Sequence, residues 1–308
     1  MMLVIENLVK VYGNVRALDG LNLSIEKGHI YGFVGANGAG KTTAMKIVAG
    51  LLKPTSGSVT VDGVLLGKET DKIKSKIGYM PDFFGVYDNL KVSEYMGFYA
   101  AVYRIPKEQR GKIIDQYLEL VNLADKKDAY VDTLSRGMKQ RLCLTRSLIH
   151  DPELLILDEP ASGLDPRSRA EIKEILKELR GMGKTILISS HILSELAEMC
   201  TSVGIIDKGK MITSGTVDEI MNRASANRFI KIKVLGDIAP AIRYLTEKPE
   251  FVHVIEAYDY IGAEFKGNNV ELAEILREMT AKGIKVFSFT EQERNLESVF
   301  LNVTGGLS

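Results

Sequence analysis

The sequence predicts an α/β fold with a largely parallel sheet, followed by a small α+β domain. Helical periodicity alternates with short runs that read as buried strands through the centre of the 308-residue chain, which is typical of a parallel sheet buried under helices. The predicted buried strands are residues 29–34, 154–157 and 185–189. Composition turns small and polar around residues 222–228, where we place a domain boundary. The predicted domains are therefore 1–225 and 226–308.

The N-terminal residues predict a small β subdomain. Residues 3–28 alternate short apolar segments with turn residues, a pattern that favours antiparallel strands. Residues 58–61, followed by Asp62 and Gly63, repeat the pattern of strand and turn. This subdomain is expected beside the motif that follows the first buried strand.

That motif is the segment 35–43, which fits the pattern G-x-x-x-x-G-K-[ST] of a phosphate-binding loop. Its glycines let several backbone N–H groups surround a polyphosphate, while Lys41 supplies a positive charge and the Thr42 hydroxyl reaches Mg²⁺. A glycine-rich turn without a ligand is the alternative, but the apolar strand before the loop and the helix predicted after it, at 43–52, argue against that. A nucleoside triphosphate is the implied ligand, although the loop alone does not separate kinases, GTPases, motors and transporters. The predicted ligand-binding residues here are Gly35, Asn37, Gly38, Gly40, Lys41, Thr42 and Thr43.

The residues between 92 and 121 predict two helices. Their aromatic stripe, which includes Tyr95, Tyr99 and Tyr103, is interpreted either as core or as a groove wall for a partner helix. Further helices are predicted at 136–150 and 171–180. In the C-terminal domain we predict strands at 229–234 and 284–289, a helix between them and a last helix capped by Asn295, with no catalytic constellation.

The strand at 154–157 delivers two adjacent carboxylates, Asp158 and Glu159, at the strand end where α/β sheets place ligands. Asp158 is predicted to hold Mg²⁺, and Glu159 to orient or deprotonate the water that attacks the γ-phosphate. A solvated turn is the alternative for this pair taken alone. The strand at 185–189 leads to His191, whose imidazole is placed to hydrogen-bond the γ-phosphate or that water; alone it would more often cap a helix or lie on the surface.

Composition argues against several other classes of protein. Lys plus Arg and Asp plus Glu both number 40, so the formal net charge is zero and no nucleic-acid partner is expected. The two cysteines lack metal-ligand spacing and are expected to be free thiols. No run approaches the roughly 20 apolar residues of a spanning helix. We therefore expect a chain that is soluble by itself and needs a separate membrane-spanning partner for any membrane role.

Four further motifs resemble those of ATP-binding cassette (ABC) proteins. Residues 134–138, Leu-Ser-Arg-Gly-Met, resemble the family signature Leu-Ser-Gly-Gly-Gln, and residues 162–165, Ser-Gly-Leu-Asp, resemble the D-loop. His191 resembles the switch histidine, and Tyr12 the aromatic residue that stacks on adenine. The motifs span the chain from Tyr12 to His191 in the family's order and spacing.

This resemblance implies the architecture and the partners. It implies an ABC phosphate-loop NTPase core with an antiparallel β subdomain and a helical subdomain at about 86–150. Two cassettes, identical or different, would pair head to tail, so that each ATP lies between one phosphate loop and the other chain's signature. Ser135 and Gly137 would then contact the γ-phosphate of the second subunit's ATP, and Asp165 would also belong to the nucleotide site.

The sequence departs from the family pattern at three positions. Arg136 replaces the usual first glycine of the signature and Met138 the usual glutamine, so a flexible position and an amide are lost. We expect Ser135 and Gly137 to suffice. Asp82 stands where the family usually has glutamine, and it keeps an oxygen ligand for Mg²⁺ while adding a charge near the phosphates.

The resemblance implies an ATP-hydrolysing subunit beneath a membrane permease, held at the inner face of the cell membrane. Residues 295–301 resemble the tail of cassettes that serve bacterial drug and antibiotic exporters, although Ser298 stands where those tails carry an acidic residue. An exporter subunit with ATP and Mg²⁺ as cofactors is therefore our leading hypothesis. A soluble, regulatory ABC ATPase without a permease is the alternative.

Overall fold

The computed structural model describes residues 1–67, 70–82, 85, 89–190, 196, 198–223, 228–257 and 259–291. The chain divides into two compact units, Met1–Thr216 and Val217–Ser308. This division falls before the boundary expected from composition after residue 225, because the short helix that precedes residue 225 groups with the second unit. His191 and the tail segment 295–301, with the cap predicted at Asn295, lie outside the described residues.

The first unit has a mixed order of strands and helices. In chain order its elements are β1 (Leu3–Tyr12), β2 (Val15–Ile25), β3 (Ile30–Val34), α1 (Lys41–Val48), β4 (Ser56–Val61), β5 (Val64–Leu65), α2 (Thr70–Lys76), β6 (Ile77–Met80), α3 (Val92–Val102), α4 (Lys107–Leu120), 3₁₀ turns at Ala124–Lys126 and Val131–Thr133, α5 (Arg136–Leu148), β7 (Leu154–Leu157), α6 (Pro166–Gly181), β8 (Thr185–Ser190), β9 (Ser202–Asp207) and β10 (Lys210–Thr216).

Two sheets organise this unit. The antiparallel sheet has the order β2-β1-β4-β5 and forms the predicted β subdomain. The second sheet has the order β10-β9-β3-β8-β7-β6, in which β10 alone is antiparallel to its neighbour. Every residue of β3, β7 and β8 is buried, as predicted from their mostly apolar sequences. The predicted α/β fold is confirmed.

Helices α3, α4 and α5 form the helical part of the unit. Val92, Tyr95 and Met96 on α3 are fully buried, whereas Tyr103, just after the helix, is 41% exposed. The aromatic stripe is therefore core at its start and reaches solvent at its end. The buried Arg141 on α5 donates to the Val121 carbonyl at 2.8 Å, fastening α5 to the end of α4.

A side-chain hydrogen bond also links strand β3 to β10, the edge strand of the same sheet. The Tyr31 hydroxyl lies 2.6 Å from the Ser214 hydroxyl on β10, two strands away. The ring crosses β9 over Gly204, where an added Cβ would lie 2.1 Å from the phenolic oxygen. Only glycine leaves room for this crossing.

The second unit is a βαββαβ arrangement preceded by a short helix. Its elements are α7 (Val217–Arg223), β11 (Arg228–Val234), α8 (Ala239–Thr246), β12 (Phe251–Glu256), β13 (Ile261–Phe265), α9 (Asn269–Ala281) and β14 (Val286–Glu291). The antiparallel sheet has the order β12-β13-β11-β14, a ferredoxin-like topology. Both α8 and α9 pack on one face of it, through Leu245 and Met279 against Ile230 and Ile232.

The helices among the described residues are too short or too polar to cross a bilayer.

Candidate functional site

The phosphate-loop segment joins β3 to α1 and is held by close backbone contacts. Gly40 has a φ of +111°, and a Cβ there would lie 2.6 Å from the Ala17 carbonyl oxygen. A Cβ at Gly35 would lie 2.5 Å from the Ile206 carbonyl oxygen. At both positions only glycine lets the loop backbone lie this close to a neighbouring carbonyl oxygen. At Gly40 the positive φ favours glycine as well.

Lys41 and Thr42 lie in the first turn of α1 rather than before it. Gly40 is the N-cap, and no side chain caps the helix. The first N–H groups of α1 therefore face the loop's concave side without a capping side chain, which is the arrangement that favours anions at a helix N-terminus.

The Lys41 ammonium group is 6% exposed and lies inside the loop. It donates to the Gly35 carbonyl at 2.6 Å, and it lies 3.8 Å from Glu159 Oε1. Burial lowers the pKa of Lys41 below its usual value, while the charges of Glu159 and Asp158 oppose that shift. The loop lysine and both predicted carboxylates thus share one electrostatic environment.

Ser189, at the end of β8, connects the two carboxylate residues. Its hydroxyl donates to Asp158 Oδ1 at 2.7 Å and accepts from the Glu159 N–H at 2.9 Å. Asp158 is 1% exposed and Ser189 is fully buried. Parallel pairing of β7 with β8 brings these strand ends together. Sequence reasoning did not identify Ser189, because a serine at a strand end carries no motif.

The backbone of Glu159 has a φ of +51°, in the left-handed region that non-glycine residues seldom adopt. The bond from its N–H to Ser189 holds the residue there. Such strain at a side chain that faces a phosphate loop is typical of functional positions.

The second oxygen of Asp158 has no hydrogen-bond partner among the described residues, although it is buried. Beside it lies Tyr79, whose buried hydroxyl also lacks a partner there. Burial, helped by the charges of Asp158 and Asp82, raises the pKa of Tyr79 to about 12. A buried carboxylate oxygen that lacks a partner among the described residues fits a hard cation, and carboxylate and hydroxyl oxygens are ligands that Mg²⁺ accepts.

A cavity of about 170 Å³ is lined by part of the predicted site, and Asp158 is not among its lining residues. Asp82 lines it together with Glu159 and with loop residues on the opposite side, namely Ala36, Asn37, Gly38, Gly40, Lys41, Thr42 and Thr43. Asp82 therefore lies where the resemblance expects it. A larger cavity of about 710 Å³ lies between α4 and α6, and it is lined by none of the predicted site residues.

The signature segment begins α5. Ser135 is the N-cap, and its hydroxyl accepts from the Met138 N–H at 3.3 Å. Gly137 is buried against α6, since a Cβ there would lie 2.5 Å from Ser168 Oγ. Asp165 caps α6 by accepting from the N–H and the hydroxyl of Ser168, and these bonds lower the pKa of Asp165. In this chain Asp165 therefore has a structural role that the motif did not indicate.

Tyr12 ends β1 and is 47% exposed, with the Lys10 ammonium 5.0 Å from its ring centre. An exposed ring with a free face is compatible with stacking on a base. Its role, like that of His191, remains a prediction.

The chain is similar in sequence and fold to several known proteins. A family model described as "ABC transporter" matches residues 18–162. The linearmycin resistance ATP-binding protein LnrL of Bacillus subtilis is 38% identical over 99% of this chain and 98% of its own length. The bacitracin transport ATP-binding protein BcrA of Bacillus licheniformis is 37% identical, with 97% of this chain and 96% of that protein covered. Among solved structures, the dimeric ATP-binding cassette MJ0796 in a post-hydrolysis state with ADP and Pi is 26% identical, with a TM-score of 0.64 over 70% of this chain and 99% of that one.

Proposed function

The chain belongs to the ABC transporter family as an ATP-binding, ATP-hydrolysing subunit, and on that premise we propose that it powers an exporter through a separate membrane permease. The proposed direction is supported by two relatives whose names refer to linearmycin resistance and bacitracin transport. The proposal for how the chain hydrolyses ATP rests on one observation. The Ser189 hydroxyl is hydrogen-bonded to both Asp158 and Glu159, and the Glu159 carboxylate lies beside Lys41.

In this proposal the loop and the start of α1 bind the phosphates of ATP. The backbone N–H groups of the loop and the Lys41 ammonium neutralise the β- and γ-phosphates, and Tyr12 stacks on the adenine. Thr42, Asp82 and Asp158 would hold Mg²⁺, with Asp158 offering its unsatisfied oxygen. Bound Mg²⁺ would supply neutralisation of the charge on the phosphate oxygens.

Glu159 is the proposed general base for hydrolysis. Its backbone is anchored to Ser189, and its carboxylate lies 3.8 Å from Lys41, so it faces the place that the γ-phosphate would take. It would accept a proton from the attacking water, and His191 would contact the γ-phosphate from the end of β8.

The proposed assembly has two cassettes and a permease. Ser135 and Gly137 would complete the ATP site of a second copy or a related chain, with Asp165 at the same surface. The permease would hold the chain at the inner face of the cell membrane. No nucleic acid takes part in this proposal.

The enzymatic assignment is tested with Glu159→Gln, which keeps the side chain's size and removes the base. We expect steady-state ATPase to fall at least about a hundredfold, while ATP affinity measured by fluorescence titration stays within about threefold. Glu174→Gln on the outer side of α6, where the side chain is 67% exposed, is the matched control and should leave both quantities unchanged. Full ATPase in Glu159→Gln would show that Glu159 is not the base.

The transporter assignment is tested by isolating the tagged chain from its native membranes. A multi-helix membrane protein that co-purifies and changes the ATPase rate in response to an expelled compound supports export. A chain that is recovered fully active without any membrane partner would support the soluble regulatory ATPase instead.

A further inference from the structure

Arg136 lies at the first helical position of α5, where the family signature usually has glycine. Its guanidinium donates from Nη2 to the Ser162 carbonyl at 3.1 Å. Ser162 belongs to the D-loop of the same chain. The residue that departs from the signature therefore makes a contact that glycine cannot make.

The D-loop is shaped to receive this guanidinium. Gly163 has a φ of +66°, and a Cβ there would lie 2.4 Å from Arg136 Nη2 and 2.6 Å from Cζ. Even alanine at position 163 would therefore displace the guanidinium. Glycine at 163 leaves room for the guanidinium, and the positive φ there favours glycine for a second, independent reason.

The contact continues to the proposed base. The Ser162 N–H donates to the Glu159 carbonyl at 3.1 Å, and the Glu159 N–H donates to Ser189. Two hydrogen bonds through Ser162 therefore connect the backbone of Glu159 with the side chain of Arg136. Ser135, the adjacent residue, belongs to the signature that would serve a second ATP site.

Helix energetics do not account for an arginine at this position. A cation in the first turn of a helix opposes the helix dipole. Among the described residues, Arg136 has no carboxylate partner that would offset this cost. The favourable contact of the guanidinium is its hydrogen bond to the D-loop.

We propose that Arg136 is a positioning residue that joins the signature segment, residues 134–138, to the D-loop, residues 162–165, and through Ser162 to the backbone of Glu159. In a pair of cassettes, Glu159 of one chain serves one ATP site and the signature of the same chain serves the other site. The contact made by Arg136 makes these two segments move together. This rests on the head-to-tail pairing given under the proposed function. Arg136 acts through Ser162 and does not itself touch the nucleotide.

The test is a double-variant cycle on the full-length chain with Arg136→Ala, Gly163→Ala and the two combined. We expect Arg136→Ala to lower kcat about fivefold, less than the loss of a buried charged hydrogen bond would cause because this bond is exposed, with KM for ATP within about twofold. Gly163→Ala displaces the guanidinium and should lower kcat by at least the same factor. Because the contact is already absent in Gly163→Ala, the combined variant should be no slower than Gly163→Ala alone.

Three controls separate this role from a loss of folding. The melting temperature of each variant is measured, and Arg136→Lys should recover only part of the rate, since an ammonium lacks the planar fork. Arg167→Ala, whose side chain on α6 is 90% exposed, should leave kcat unchanged. Multiplicative losses in the combined variant, or an unchanged kcat in Arg136→Ala, would overturn the proposal.

Ser135→Ala separates this proposal from the pairing on which it rests. In a Glu159→Gln background, Ser135→Ala should abolish ATP-driven dimerisation in size-exclusion chromatography, whereas Arg136→Ala should retain it. If Ser135→Ala dimerises normally, the head-to-tail pairing is wrong, and the positioning role across two sites is wrong with it. Ser135→Ala could instead block dimerisation while the losses of kcat in Arg136→Ala and Gly163→Ala multiply in the combined variant. In that case the head-to-tail pairing is supported and only the role of Arg136 is wrong.

Discussion

Replacing Ser189 with alanine removes the hydroxyl that joins the two carboxylate residues of the site. Asp158 Oδ1 then loses its donor, and the Glu159 N–H loses its acceptor. Both groups lie in a region where water has little access, because Asp158 is 1% exposed and Ser189 is fully buried. The methyl group of alanine fits the space but satisfies neither group.

The size of the effect follows from these two bonds. A buried hydrogen bond to a charged group contributes about 1.5–3 kcal/mol and a neutral one about 1 kcal/mol. We therefore expect Ser189→Ala to lower the free energy of unfolding by about 3 kcal/mol, a substantial part of the 5–15 kcal/mol of a typical domain. Since Asp158 and Glu159 also lose their orientation, ATPase at saturating ATP should fall about 10–100-fold, as for other groups that orient metal ligands.

Urea denaturation followed by circular dichroism, and a coupled ATPase assay over a range of Mg²⁺ concentrations, measure the two effects. Ser147→Ala is the matched control: this serine is 3% exposed, but its hydroxyl only donates to the Leu144 carbonyl within α5. Ser147→Ala should lower the free energy of unfolding by less than about 1 kcal/mol, because the Leu144 carbonyl keeps its hydrogen bond within the helix. Equal losses of stability in the two variants, with normal ATPase in Ser189→Ala, would refute the reasoning.

Two further predictions concern Asp62 and Asp82. Lys27 and Lys76 lower the pKa of Asp62 to about 2, from 3.8, so its ion pairs stabilise the fold above pH 4 and lose this effect as the pH falls towards 2. Asp62→Asn should thus lower the free energy of unfolding by about 1 kcal/mol at pH 7 and by less at pH 3, in urea titrations; an equal loss at both would contradict it. Asp82→Ala should raise the Mg²⁺ concentration for half-maximal ATPase about tenfold, whereas an unchanged Mg²⁺ dependence would exclude Asp82 from the metal site.

The sequence was sufficient to predict the fold class and most of the strands of the first unit. Short runs dominated by apolar residues indicated β3, β7 and β8, because strands buried on both faces have few exposed positions for polar side chains. Helix α6 was predicted to begin at 171 but begins at Pro166. Asp165 followed by proline is an N-cap signal, and it was interpreted only as part of the D-loop. The order of the strands is set by contacts between distant segments, which local periodicity does not contain.

The candidate site was predictable where a motif fixes several residue types at once. The phosphate loop, Asp82 and Glu159 line one cavity, as the motifs implied. Ser189 and the contact between Arg136 and Ser162 were not predicted, because each depends on two segments, distant in sequence, that meet only in the folded chain. From sequence, Arg136 was interpreted as the loss of a flexible position, whereas the structure gives it a defined partner.

The packing of Tyr31 over Gly204 affects how mutational scans of this protein should be interpreted. A side chain at position 204 would push the phenol ring away from Ser214 and disturb β3, the strand that leads into the phosphate loop. Substitutions there would abolish activity as surely as changes to the loop, and a functional screen would score Gly204 with the nucleotide-binding residues. Abundance measured beside activity separates the two, since a Gly204 variant is depleted from the cell while a true ligand-binding variant accumulates normally.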